Sequence, residues 1–302
     1  MQAVAPQELE TDMPAPPGWG FAEGDDITAG RYVLQRLGGG RRYEAYLAHD
    51  ESLLSLVVVK ILRPDRVGNE NALRGLREEF QVLRRLNHPS IARGFDAVLD
   101  GNRPHIVLEF LDGPRLSTLI RKYGHLPLEQ SIPLAVQLCS ALHYMHGRRM
   151  VHLDVKPSNI IMGAPPRLID MSIARSFESA AGLKVAVGTD AYMAPEQCRV
   201  PVGGPVGPAA DIWGLGVTLY EAVAGRLPWS KDGSDPHPQM HTEPEPLDDK
   251  VVPPAIAALI SRCLQPDPVA RPTARDVAEG LEGLVALLPR RPVLNRLRPR
   301  LK

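Results

Sequence analysis

The chain has 302 residues, with 35 basic and 35 acidic side chains and three cysteines. Balanced charge gives no overall field toward nucleic acid or anionic membrane. Isolated Cys139, Cys198 and Cys263, without CxxC spacing, read as buried reduced thiols rather than metal ligands or disulfides.

Residues 1–10 have neither the basic start nor the apolar run of a signal peptide. The most apolar run, 53–62, is interrupted by Lys60 and falls short of the roughly 20 residues of a membrane helix. A soluble, cytoplasmic protein with room for two sub-domains is expected. Residues 1–29, rich in Pro, Gly and acids and without periodicity, read as a flexible N-terminal extension. From 30 to 111, short β-rich pieces surround one helical segment.

Leu37-Gly38-Gly39-Gly40-Arg41-Arg42-Tyr43-Glu44-Ala45-Tyr46 reads as two strands joined through glycines. Such a loop lets backbone N–H groups approach phosphate oxygens with no Cβ in the way. A plain hairpin is the competing reading. In the strand 56–62, Val58 and Lys60 share one face. A lysine inside an apolar run needs a partner, because an unpaired buried ammonium is costly. Leu76, Glu79 and Leu83 fall at i, i+3 and i+7 of the next helix, so Glu79 lies on its inward stripe and Glu78 does not. Glu79 is therefore the expected partner.

Residues 113–287 are mostly helical by apolar spacing. Within them, 152–159 reads His-Leu-Asp-Val-Lys-Pro-Ser-Asn. A hairpin follows: 160–162, a Gly-Ala-Pro-Pro turn, then 167–169. Asn159 and Asp170 sit at its open ends. Two oxygen-bearing side chains brought together this way suit Mg²⁺, which shares its oxygen ligands with phosphates. Asp154 can then accept a hydroxyl proton, and Lys156 can offset charge on the transferred group. The end of the chain, 288–302, is a basic tail whose prolines argue against a long amphipathic helix.

These motifs, in this order, resemble those of the eukaryotic-like serine/threonine protein kinases of bacteria. The resemblance spans about residues 30 to 287. It implies an α+β, bilobal protein kinase fold with a small β-rich N-lobe (30–111) carrying one key helix and a larger helical C-lobe (112–287). It also implies ATP as phosphate donor, Mg²⁺ or Mn²⁺ as the metal, and an unnamed protein substrate. Gly38 and Gly40 fall on the first two glycines of the family's phosphate loop, and Lys60 on the lysine holding the α- and β-phosphates. Ala45 and Val58 resemble the roof over adenine, with large and small exchanged relative to the family, and Ile161 resembles the floor. Glu109 and Leu111 match the hinge that offers backbone groups to adenine. Asp154 is the expected catalytic base, with Lys156 and Thr189 the pair that brackets it and favours Ser/Thr acceptors. Asn159 and Asp170 are the expected metal ligands. Glu196 is expected to pair with Arg271, and Asp211 to anchor the catalytic loop from below.

Three positions depart from the family. Leu153 stands where many relatives carry the arginine that receives an activation-loop phosphate, the non-RD condition. Residues 180–188 contain no Ser or Thr, so receptor and phosphate site are missing together and activation without phosphorylation there is expected. Ser176 and Ser179 remain candidate sites. Asp170-Met171-Ser172 replaces Asp-Phe-Gly, and Tyr43 replaces the third glycine. These departures keep a pseudokinase scaffold open as an alternative. A small-molecule phosphotransferase is disfavoured by Ala194-Pro195-Glu196 and the helix of Asp211 and Trp213. Oligomeric state is not readable from these motifs.

Overall fold

The computed structural model describes residues 17–230 and 235–285. Residues 1–16 of the expected extension and the basic tail 288–302 lie outside the described residues. Contacts divide the chain into two compact units, Met1–Gln81 with Gly94–Phe110 and Val82–Arg93 with Leu111–Lys302.

The first unit is built on a six-stranded antiparallel sheet. Its strands are β1 (Asp26–Thr28), β2 (Arg31–Gly39), β3 (Tyr43–Asp50), β4 (Ser55–Leu62), β5 (Gly94–Val98) and β6 (His105–Glu109), in the spatial order β1-β2-β3-β4-β6-β5. Helix α1 (Glu70–Arg85) follows β4. Alternation along β3 and β4 sorts the side chains onto two faces. Tyr46, Ala48, Val57, Val59 and Ile61 join Ile27, Val33 and Val107 in a buried cluster on one face. Tyr43, Ala45, Val58 and Lys60 lie half-buried on the other.

The structure corrects the expectation of a flexible extension across 1–29 where it describes that segment. Residues 17–29 form a strap over the apolar face, with Trp19 and Phe21 packed against the buried cluster. Trp19 donates its indole N–H to the Leu62 carbonyl at 2.7 Å and its backbone N–H to Glu44 at 2.9 Å. Its ring stacks on Phe21 at 5.7 Å, and Phe21 meets Tyr46 edge-on. The Arg103 guanidinium lies over both strap rings. Isolated aromatic anchors with distant partners leave no periodic trace, which is why the pattern gave no sign of them. Trp19→Ala removes an aromatic anchor and a hydrogen bond together and is expected to cost about 2–4 kcal/mol of stability, measured by urea titration.

The second unit is largely helical, with α2 (Leu116–Tyr123), α3 (Leu128–Gly147), the short α4 (Phe177–Ala181) and α5 (Pro195–Cys198), α6 (Pro208–Ala224), α7 (Pro254–Cys263) and α8 (Ala274–Val285). Helix α6 is buried almost continuously from Ala210 to Tyr220, as expected of a helix apolar on every side. It packs against α3 and α7, and α3 packs against α8. Two small antiparallel pairs complete the unit: β7 (Met150–Val151) with β10 (Arg175–Ser176), and β8 (Ile160–Ile161) with β9 (Arg167–Leu168).

All three cysteines are free. Burial pushes the thiols of Cys198 and Cys263 up to about 12, and that of Cys139 also upward, which keeps them protonated and unreactive. Among the described residues no helix is long and apolar enough to cross a membrane.

Candidate active site

In the first unit, the hairpin between β2 and β3 sets the glycine loop. Gly40 donates its N–H to the Tyr43 carbonyl at 2.9 Å, closing the turn. Gly38 has φ +146°, in the region that favours glycine. Gly39, passed over in the sequence reading, is sterically demanded: a Cβ there would lie 2.7 Å from the Tyr43 carbonyl oxygen. Ala45 pairs across the ladder with Lys60, and Val58 with Leu47 and Leu108. Ala45 and Val58 are thus diagonal neighbours on one face, the relation in which exchanged volumes can offset each other.

Lys60 reaches α1. Its Nζ donates to both carboxylate oxygens of Glu79, at 2.9 and 2.8 Å. The Glu79 side chain is 1% exposed, whereas Glu78 is exposed. A buried carboxylate bidentate to an ammonium holds the lysine in one rotamer, and this fixes where its positive charge is presented. Glu109 ends β6 opposite Val57, and Leu111 is the first residue of the next stretch of the second unit.

In the second unit, the β8–β9 ladder pairs Ile160 with Leu168 and Ile161 with Arg167. The Ile169 N–H donates to the Asn159 carbonyl at 2.9 Å, so Asn159 and Asp170 meet at one end of the ladder. Ile161 is half-buried on this hairpin. The Asp154 carboxylate is held on both oxygens. Thr189 donates its hydroxyl to Oδ1 at 2.7 Å, while Asn159 Nδ2 at 2.9 Å and Lys156 Nζ at 2.8 Å approach Oδ2. Lys156 also donates to the Thr189 hydroxyl. Three side chains, two from the same loop and one from 35 residues further on, thus aim one carboxylate.

Asp211 of α6 supports the loop from below. It accepts the backbone N–H of His152 at 2.9 Å and of Leu153 at 2.7 Å, and it contacts His146 Nε2 at 2.9 Å. His152 links the same loop to the hairpin: its Nδ1 accepts from Asp154 N–H, and its Nε2 faces the Ile169 carbonyl. Leu153 and Asp170 both adopt φ +66°, a left-handed conformation that side chains seldom occupy and that costs about 1–3 kcal/mol each. Strain of this kind persists where surrounding hydrogen bonds hold it in place.

The donor set suits a hard cation. Asn159 directs its Nδ2 at Asp154 through both the backbone carbonyl, at 3.0 Å, and the carboxylate. This orientation leaves its Oδ1 as the atom available to a metal. Asp170 supplies a carboxylate beside it. Among the described residues no cluster of three or more His, Cys, Asp or Glu forms an all-protein metal cage. An amide oxygen and a carboxylate match a Mg²⁺ ion that takes its remaining ligands from phosphates and water.

Glu196 and Arg271 form a buried bidentate pair at 2.7 and 2.9 Å. Arg271 also donates to the carbonyls of Ala209, Gln265 and Pro266. Three residues missed in the sequence reading shape the segment from Gly188 to Glu196. Gln197 donates its amide to the carbonyls of Leu153 and Val187, tying this segment to the 152–159 loop. Gln239 donates to the carbonyls of Asp190 and Met193. Glu221 accepts from the Tyr192 hydroxyl at 2.5 Å, and burial raises both groups' pKa, so the phenol stays a donor. Only Gln197 had a nearby cue, the preceding Ala-Pro-Glu.

Leu153 is 4% exposed and Met171 fully buried, so both apolar departures fill core space. The exposed Ser172 caps Asp170 Oδ1 through its N–H at 3.3 Å. Ser176 serves as the N-cap of α4, accepting from the Ser179 N–H at 3.2 Å.

The family model described as the protein kinase domain matches residues 32–280. The chain is 34% identical over 232 residues to the serine/threonine-protein kinase PkaA of Streptomyces coelicolor, covering 74% of this chain and 42% of that protein. It is 33% identical over 227 residues to PknB of Mycobacterium leprae, covering 72% and 36%. PknA of Mycobacterium tuberculosis is 32% identical over 257 residues, covering 80% and 58%. The chain therefore spans less than two thirds of the length of these relatives. With the kinase model matched over most of its length and its motifs in order, the chain belongs to the protein kinase domain family, in the eukaryotic-like serine/threonine branch found in bacteria.

Proposed function

We propose that the chain is an ATP-dependent protein kinase that phosphorylates Ser and Thr hydroxyls of a protein substrate. The observation that carries this reading is the Asp154 carboxylate, aimed by Lys156, Asn159 and Thr189 at hydrogen-bond distance. In the proposed reaction the substrate oxygen bonds to the γ-phosphorus while the bond to the β-phosphate oxygen breaks and ADP leaves. Asp154 accepts the hydroxyl proton, and Lys156 offsets charge on the transferred group. Lys60, held by Glu79, takes the α- and β-phosphates, and the loop of Gly38 and Gly40, with no Cβ in the way, lets them approach its backbone. Ala45 and Val58 of the first unit and Ile161 of the second are each proposed to contact adenine, as are backbone groups of Glu109 and Leu111. Mg²⁺, or Mn²⁺ in its place, held by Asn159 and Asp170, would supply charge neutralisation between the phosphates. Glu196, Arg271 and Asp211 maintain this geometry without touching substrate.

Residues 30–111 and 112–287 are proposed as the N- and C-lobes. Free protonated cysteines fit a reducing, cytoplasmic setting. Purified protein with Mg²⁺ and labelled ATP, beside an Asp154→Asn control, tests the activity. Phosphate incorporation that the control lacks supports the enzyme; ATP binding without turnover supports the scaffold reading.

We also propose that activation does not depend on phosphorylation of residues 180–188. The buried Leu153 offers no phosphate receptor, and residues 180–188 contain no Ser or Thr. Changing Ser176 and Ser179 together to alanine is expected to cost about 1 kcal/mol of stability through the lost cap. The transfer rate should persist; its disappearance would return control to these serines.

A further inference from the structure

Tyr43 stands where the family's phosphate loop carries its third glycine, and the structure gives the substitution a role. Tyr43 lies opposite Leu62, and Ala45 opposite Lys60, so Tyr43 and Lys60 are diagonal neighbours on one face of the sheet. Diagonal pairs lie within reach when one partner is aromatic and the other long. The Lys60 ammonium indeed sits 4.8 Å from the centre of the Tyr43 ring, within cation–π range.

The phenol end of Tyr43 meets α1. A Cβ built on Gly75 would lie 3.3 Å from the Tyr43 hydroxyl oxygen, so the ring reaches into the space that this glycine leaves. Gly75 lies four residues before Glu79, one turn earlier on the same face of α1. A glycine inside a helix weakens it relative to alanine, and room for the tyrosine is a physical reason for one here. Tyr43 thus touches the lysine with its face and the glutamate's helix with its tip, while its backbone carbonyl closes the glycine turn.

We infer that Tyr43 is a positioning residue that holds Lys60 against Glu79 and fastens the phosphate loop to α1. It exchanges loop freedom for a Lys60–Glu79 pair assembled before nucleotide arrives. The inference rests on the reading of Lys60 as a phosphate-binding lysine only where nucleotide is the readout.

The test compares Tyr43→Phe, Tyr43→Leu and Tyr43→Gly. Equilibrium titration with Mg²⁺–ATP should show roughly three- to tenfold weaker binding for Leu and Gly, the size of a partly buried cation–π contact. Phe, which keeps the ring, should stay near the parent. In turnover assays the KM for ATP should rise with the KM for a peptide acceptor unchanged. Binding by Tyr43→Gly as tight as the parent's, or equal rises in both KM values, would overturn the inference. Amide hydrogen exchange in nucleotide-free protein gives a readout that does not depend on the kinase reading. Residues 70–81 should exchange faster in the Leu and Gly variants, and less so in Phe, which loses only the hydroxyl tip. A parent protein that binds no ATP would defeat the kinase reading alone; unchanged exchange in all three variants would defeat this inference alone.

Discussion

Asp154→Asn is expected to lower kcat by about 10²–10⁴-fold, the span that a positioned general base contributes, with the KM for ATP little changed. The size of the loss follows from how the group is held. Both carboxylate oxygens accept hydrogen bonds, Oδ1 from Thr189 and Oδ2 from Asn159 and Lys156. An asparagine amide can still be accommodated, because the Thr189 hydroxyl can turn to accept its N–H. The variant should therefore fold and bind nucleotide while lacking an atom able to take the acceptor proton. Single-turnover phosphoryl transfer, set beside ATP titration, separates these effects. A kcat within threefold of the parent would remove Asp154 from the role of base; such a change is only about 0.6 kcal/mol in barrier height.

Arg271→Ala carries the largest expected effect on stability, about 3–5 kcal/mol. The arginine side chain is fully buried and satisfies five contacts at once: both oxygens of Glu196 and the carbonyls of Ala209, Gln265 and Pro266. It also lies 4.9 Å from the Trp213 ring. Removing it leaves the buried Glu196 charge without its partner. Against a total stability of about 5–15 kcal/mol, the loss is large. Replacing Glu196 and Arg271 together with leucines should cost less than the single change, because no lone charge is then buried. Urea titration of the single and double variants checks this ordering; a double variant weaker than either single one would contradict it.

Much of this geometry was legible because the chemistry was local or periodic. Lys60 stands out as a charge inside a valine-rich strand, and the 3–7 spacing of Leu76, Glu79 and Leu83 selects one of two adjacent glutamates. The Pro-Pro turn marks the hairpin that brings Asn159 to Asp170. What stayed hidden depends on contacts that carry no period. Gln197 and Gln239 act through backbone carbonyls 10 to 49 residues away, and any carbonyl looks alike in sequence. The positive φ of Leu153 goes with its N–H bond to Asp211, 58 residues on, and not with leucine's own preference. Tyr43 read as a defect in a glycine pattern until the strand register put its ring beside Lys60. Segment 17–29 read as featureless because each anchor meets a partner 25 or more residues on.

That strap bears on where the folding unit starts. The family match begins at residue 32, yet Trp19 and Phe21 cover side chains that belong to the matched region. A shortened protein cut at residue 32 would turn Tyr46, Val57 and Val59 toward water as one greasy plate. Such plates stick to one another, so the trimmed species should self-associate although every residue of the family signature is retained.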